Sequence, residues 1–154
     1  MVRIFRRIFV AVTVLNLLFV TAAFIVKKIT PQFGDEDSDS FSVLAAMNGL
    51  EFASRAESLT TGEATAFLGG IELDLSRAHI TGEARLEVRA IMGGIDVAVP
   101  ADWRVEMDAR SFAGDVQNAT DPDGVEDDAP VLIVTADAWF GGVLIRAKKV
   151  EPVS

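Results

Sequence analysis

The sequence predicts an all-β domain: a β-solenoid-like stack of short strands with a glycine pair in each repeat, preceded by one N-terminal transmembrane helix. Three observations predict it. A run of 19 uncharged, mainly apolar residues lies near the start, a glycine-centred unit recurs five times, and apolar and polar residues alternate between the glycines. The first pattern suits a bilayer, the second a regularly spaced turn, and the third a strand with one buried and one wet face.

The apolar run is Ile8 to Val26, broken only by Thr13, Asn16 and Thr21. As a helix it spans roughly 28 Å, close to the thickness of a hydrocarbon core. Arg3, Arg6 and Arg7 precede it and Lys27 and Lys28 follow it, so both ends carry side chains able to snorkel to an interface. The run continues through Phe24-Ile25-Val26, past the small residues Thr21-Ala22-Ala23 where a signal peptide would be cut, and stops at two lysines. It therefore reads as an uncleaved single-pass anchor in the cell membrane rather than a cleaved signal. Asn16 is a candidate for a hydrogen bond to a neighbouring helix. Three Arg before the span against two Lys after it slightly favour an inside amino end.

The organisation that follows is an anchor over residues 1–28, an acidic linker over 29–42 and a β-repeat domain over 43–150. The linker holds Pro31, Gly34, Asp35, Glu36, Asp37 and Asp39, too little apolar surface to fold, and is expected to stay extended and solvated.

Charge and composition narrow the function. The 154 residues carry 14 Lys+Arg and 23 Asp+Glu, a net charge of −9, and every acidic residue lies at or beyond Asp35, which leaves residues 29–154 at −14. Nucleic acid is excluded as a partner, because phosphate neutralisation needs a cationic face. With no Cys, thiolate metal sites cannot be assembled, and a lone His79 makes a His-based metal site or a Ser-His-Asp triad hard to build. The expectation is a protein that is not an enzyme, with no catalytic, cofactor-binding or metal-ligating residue to assign. Five carboxylates crowd the stretch Asp121 to Asp128, the best calcium candidate, but their spacing departs from an EF-hand loop and a solvated acidic insertion is expected. The glycine pairs lack the following helix and Lys-Ser/Thr of a phosphate loop. His79 is expected at the surface, and Trp103 and Trp139 in the core.

The repeat reads Met47-Asn48-Gly49-Leu50, Leu68-Gly69-Gly70-Ile71, Met92-Gly93-Gly94-Ile95, Phe112-Ala113-Gly114-Asp115 and Phe140-Gly141-Gly142-Val143, with second glycines 21, 24, 20 and 28 positions apart. In this alignment the second position is always Gly, which places there the strict demand for positive φ or close backbone approach. Gly94→Val is then expected to destabilise the body, whereas Asp123→Ala or Asp127→Ala is not. Asp115 stands where the other copies carry an aliphatic residue, as if a bulge shifted the phase. Thr61-Gly62-Glu63-Ala64 is echoed by Thr81-Gly82-Glu83-Ala84, and the insertion at residues 120–128 accounts for the longest gap. Ile71 to Leu75, Leu86 to Ala90, Ile95 to Val99 and Trp103 to Asp108 alternate as strands, while 131–134 and 143–145 are apolar on both parities, as for strands covered on both sides. Each coil of such a stack covers the open face of the last; a β-sandwich of hairpins is the alternative.

The runs Phe67 to Ser76, Ala90 to Val105 and Trp139-Phe-Gly-Gly-Val143 resemble the carboxy-terminal domain of LiaF-type proteins, the cell-wall-active antibiotics response family. The resemblance implies a non-catalytic β domain on a membrane protein of the envelope stress response, a signalling regulator that restrains a partner sensor histidine kinase. Family members in that role carry several amino-terminal membrane helices, and this chain has one. Their domain is described on the cytoplasmic side, opposite to the charge reading above. Partners expected from the chain itself are the membrane and a protein docked on exposed strands or an open edge, with a self-associating homo-oligomeric scaffold as the alternative.

Overall fold

The computed structural model describes residues 2–29 and 32–149. The chain divides into two compact units, Met1–Pro31 and Gln32–Ser154. The first is a helix, α1 (Val2–Ile29), of which Val2–Ala22 is long and apolar enough to cross a membrane. The three uncharged polar side chains of the apolar run bond within the helix: Thr13 Oγ1 donates to Phe9 O at 2.8 Å, Asn16 Nδ2 to Val12 O at 3.0 Å and Thr21 Oγ1 to Leu17 O at 2.7 Å. The Asn16 side chain, a candidate for a hydrogen bond to a neighbouring helix, donates within its own, which lowers the cost of placing it in hydrocarbon. The side chains of Lys27 and Lys28 and the first linker residues, Thr30 and Pro31, lie outside the described residues, as does Val150.

The second unit contains ten strands: β1 (Ser40–Ala46), β2 (Gly49–Ala53), β3 (Thr61–Phe67), β4 (Gly70–Asp74), β5 (Glu83–Ile91), β6 (Gly94–Pro100), β7 (Arg104–Phe112), β8 (Asp115–Ala119), β9 (Val131–Trp139) and β10 (Gly142–Lys148). Odd strands form one five-stranded sheet in the order β1-β3-β5-β9-β7, and even strands form another in the order β2-β4-β6-β10-β8. Every ladder between these strands is parallel, so consecutive strands are not hairpins. The period of two does its expected work: in β5, Ala84, Leu86, Val88 and Ala90 are buried, and in β4, Ile71 and Leu73. The two sheets share one core, joined by Ala56, Leu59, Leu75, Ala78, Ile80 and Trp103 from the connections between strand pairs. Gly62 makes room in it for an aromatic ring, since a Cβ there would come within 2.6 Å of Phe41 Cζ.

The stacking order corrects a sequential reading. The fifth strand pair, β9–β10, lies between the third and the fourth rather than at the end. Residues 120–130 carry the chain back into the slot left open between β5–β6 and β7–β8. The apolar runs of β9 and β10 are not covered on both sides by a second layer. Ile133 and Leu144 face outward and are only half-buried, between Arg85 and Glu106 and between Asp96 and Gln117 respectively. The Thr-Gly-Glu-Ala echo is also not structural, because Thr61 pairs in register with Arg85 and not with Thr81.

The segment expected to be a solvated spacer is bound to the first strand pair from Phe33 onward. Phe33 forms an antiparallel bridge with Ser42, its N–H donating to Ser42 O at 3.2 Å and Ser42 N–H to Phe33 O at 2.8 Å. Arg55 pairs with Glu36, its backbone N–H donates to Glu36 O, and Thr60 N–H donates to Asp39 O at 2.8 Å. Composition missed this because the acidic cluster finds its cation and its backbone partners outside itself.

Candidate interaction surface

The turn from each odd strand into the next even strand places all five glycine motifs at one corner of the unit. In register, Gly49, Gly70, Gly94, Gly142 and Asp115 form one row. Asp115, not Gly114, therefore holds the second position of the fourth copy. No bulge is present: Val116 pairs directly with Val143. The second position is also not the strict one. A Cβ on Gly94 would lie 3.9 Å from Gly142 O, and one on Gly70 3.8 Å from Gly94 O, ordinary contacts.

The demand falls one residue earlier. A Cβ on Gly69, Gly93, Gly141 or Gly114 would strike the carbonyl oxygen of the motif stacked beneath it, respectively that of Asn48, Gly69, Gly93 and Gly141. Asn48 carries a side chain because it starts the column and no carbonyl lies under it. Positive φ, in turn, belongs to the residue before: Met47 (61°), Leu68 (54°), Met92 (53°), Ala113 (50°) and Phe140 (53°). A left-handed conformation costs a non-glycine residue about 1–2 kcal/mol, so all five motifs hold strain in the same place. The backbone there is hydrogen-bonded throughout, Gly94 N–H to Gly69 O at 3.1 Å and Met92 N–H to Trp139 O at 2.8 Å, for example.

This geometry turns large apolar side chains outward. Met47, Met92 and Phe140 lie on the rim, and beside them run the last residues of the odd strands, including Phe67, Ile91, Trp139 and Phe112. Phe112, Trp139 and Phe140 are each more than half exposed, at 57%, 53% and 59%. Their rings contact one another, Phe112 with Trp139 at 5.6 Å between centroids and with Phe140 at 5.5 Å edge-on. Trp103 is buried as expected, but Trp139 is not a core residue. The parity of β9 gives the reason, since Leu132, Val134, Ala136 and Ala138 face the core and Trp139 follows in the outward phase.

Next to the ridge the glycine row floors a shallow groove of about 890 Å³ on the outer face of the even sheet. Its far side is a ladder of Glu51, Glu72 and Asp96 in adjacent register positions. Like charges so placed repel, and Arg146 of β10 offsets part of this, at 2.9 Å from Asp96 and 3.8 Å from Glu72. Deeper on the same face, burial raises the Asp74 carboxyl, but hydrogen bonds from Lys148 Nζ at 2.6 Å and from Ser76 outweigh it and hold its pKa at about 2.

The remaining sequence candidates are placed elsewhere. His79 is exposed, with its backbone bonded to Ala56 and Leu59. In the 121–128 loop, Asp121 Oδ1 accepts from Gly124 N–H at 3.1 Å, and Arg104 donates to Pro122 O and Glu126 O. Among the described residues no three His, Asp or Glu side chains gather in an arrangement able to hold a metal.

Residues 57–127 match the family described as cell wall-active antibiotics response LiaF, C-terminal. That stretch contains β3 to β8 and ends before the inserted pair β9–β10. Protein LiaF of Bacillus subtilis (strain 168) is 37% identical over 51 residues, 32% of this chain and 21% of the relative, so the chain aligns with about a fifth of that protein's length. No solved structure matches the chain. The β unit of this chain carries a LiaF-like C-terminal domain, matched over residues 57–127.

Proposed function

We propose that this chain is a non-catalytic, single-pass membrane protein of the bacterial cell membrane whose LiaF-like domain acts as an interaction module in the response to cell-wall-active antibiotics, with a sensor histidine kinase as its partner. In this reading residues 1–28 anchor the chain, and the β unit, which the segment from Phe33 joins by its bridge to β1, forms a solenoid-like stack in which each strand pair is one coil. The observation that carries it is the corner ridge of Phe112, Trp139 and Phe140 beside the glycine groove and its carboxylate row. Exposed, contiguous apolar surface of this kind marks a binding site rather than a free monomer face. A partner segment that pairs apolar side chains with basic ones fits both halves of it.

Proximity labelling from the full-length chain in cells tests this. The parent should label a sensor histidine kinase, and Phe112→Ser combined with Phe140→Ser should lose that label while the protein remains folded in the membrane fraction. Equal labelling by parent and variant removes the ridge from the interface, and absence of any kinase among the labelled proteins removes the partner.

A further inference from the structure

We infer that the edge strand β7 pairs antiparallel with β7 of a second copy of this chain, centred on Ala109, closing a two-fold dimer. The two ends of the stack differ. At one end Phe33 bridges to Ser42 and covers the free side of β1. At the other, β7 pairs only with β9 and is exposed from Asp108 to Phe112. An unpaired edge of that length is a template for strand addition unless something blunts it. One bare end and one covered end also favour a closed pair over the end-to-end scaffold, which requires both ends to be complementary.

The occupant is written in β7 itself. Arg104 N–H donates to Pro130 O and Phe112 O accepts from Phe140 N–H, both toward the β9 side. Strand alternation then turns the N–H and C=O groups of Val105, Met107, Ala109 and Ser111 to the free edge. A two-fold axis at Ala109 makes Ala109 a hydrogen-bonded pair with its own copy and sets Met107 opposite Ser111. On the outer face the same axis sets Asp108 opposite Arg110 twice, with no like charges facing. Neither Asp108 nor Arg110 has an ion pair within the described residues. Moving the axis one position, to Asp108, would set that carboxylate against its own copy. Met107 and Ala109 point toward the core yet are partly or fully exposed at this open end, and the partner strand would shield them.

Because the chain has no cysteine, single-cysteine cross-linking of the full-length protein in membranes reads the pairing directly. At a hydrogen-bonded antiparallel pair the Cα atoms lie about 5.5 Å apart, within disulfide reach. Ala109→Cys should give a disulfide-linked dimer under mild oxidation, and Ala53→Cys, on β2 near the other end, should not. Adding Asp108→Arg to Ala109→Cys should cut the cross-link at least fivefold, and adding Arg110→Asp as well should restore it. Cross-linking at position 109 no greater than at 53, or unaffected by Asp108→Arg, overturns the pairing. Kinase labelling is a separate measurement, so failure of either reading leaves the other standing.

Discussion

The carbonyl oxygen of Gly69 lies directly beneath Gly93, in the space a Cβ on Gly93 would occupy, and accepts a hydrogen bond from Gly94 N–H at 3.1 Å. One oxygen thereby fixes the stacking distance of two motifs and the identity of the residue above it.

The two glycines of a single motif should therefore respond differently to the same substitution. Gly93→Ala forces the stacked backbones apart and should cost about 1–3 kcal/mol or more, as overpacking does. Gly94→Ala meets only Gly142 O at 3.9 Å and should change stability by about 0.5 kcal/mol or less. Urea denaturation of the two variants beside the parent checks this. Equal loss from both would return the demand to the second position and undo the corner geometry.

The sequence carried the strands because alternation is local, and the glycine spacing carried the turns. It did not carry which glycine of a pair is indispensable, since Gly-Gly is ambiguous in three copies of five. Asn48 and Asp115 break the tie, but only once the register is known: Asn48 starts the column with no carbonyl beneath it, and Asp115 holds the second position, which is open in every copy. The insertion of β9–β10 into the third gap was equally hidden. Its trace, apolar residues on both parities at 131–134, fits several kinds of coverage. The ridge was legible in part, because counting alternation forward from Leu132 turns Trp139 outward. The positive φ at Met92 or Phe140 left no signal, since neither residue type favours it.

Asp74 gives the even sheet a pH dependence of known sign. Its carboxyl titrates at about 2 in the folded chain, below the unfolded value near 3.9, so its contribution is complete above about pH 4 and disappears as pH falls through about 2. Both partners are partly exposed, with side chains 30% and 46% accessible, which limits the Lys148 pair to about 1 kcal/mol or less. Lys148→Met should melt below the parent at pH 6, and the gap should close between pH 4 and pH 2. A gap that persists unchanged at pH 2 assigns the loss to the lysine's packing instead of to the ion pair.

The inserted strand pair makes the fourth pair dependent on residues that follow it in the chain. The strand partner of β7 is β9 and that of β8 is β10. Stopping the chain after Ala129 removes both, along with Leu132, Val134, Val143 and Ile145, each 3% exposed or less and each worth roughly 1.5–3 kcal/mol of burial. Residues 104–119 would remain in the polypeptide with no strand to pair with, while β1 to β6 keep their ladders to one another. Hydrogen exchange on the full-length and shortened chains in detergent distinguishes the outcomes. Amides of Glu106, Asp108 and Arg110, whose N–H groups face β9, should exchange slowly only in the full chain, and a chain ending at Ala129 should protect no more residues than one ending at Pro100. Slow exchange at Glu106, Asp108 and Arg110 in the shortened chain would mean that β7 can dock on β5 directly. The slot between them would then be a vacancy the chain can close by itself, and the intercalated order would not be required for stability.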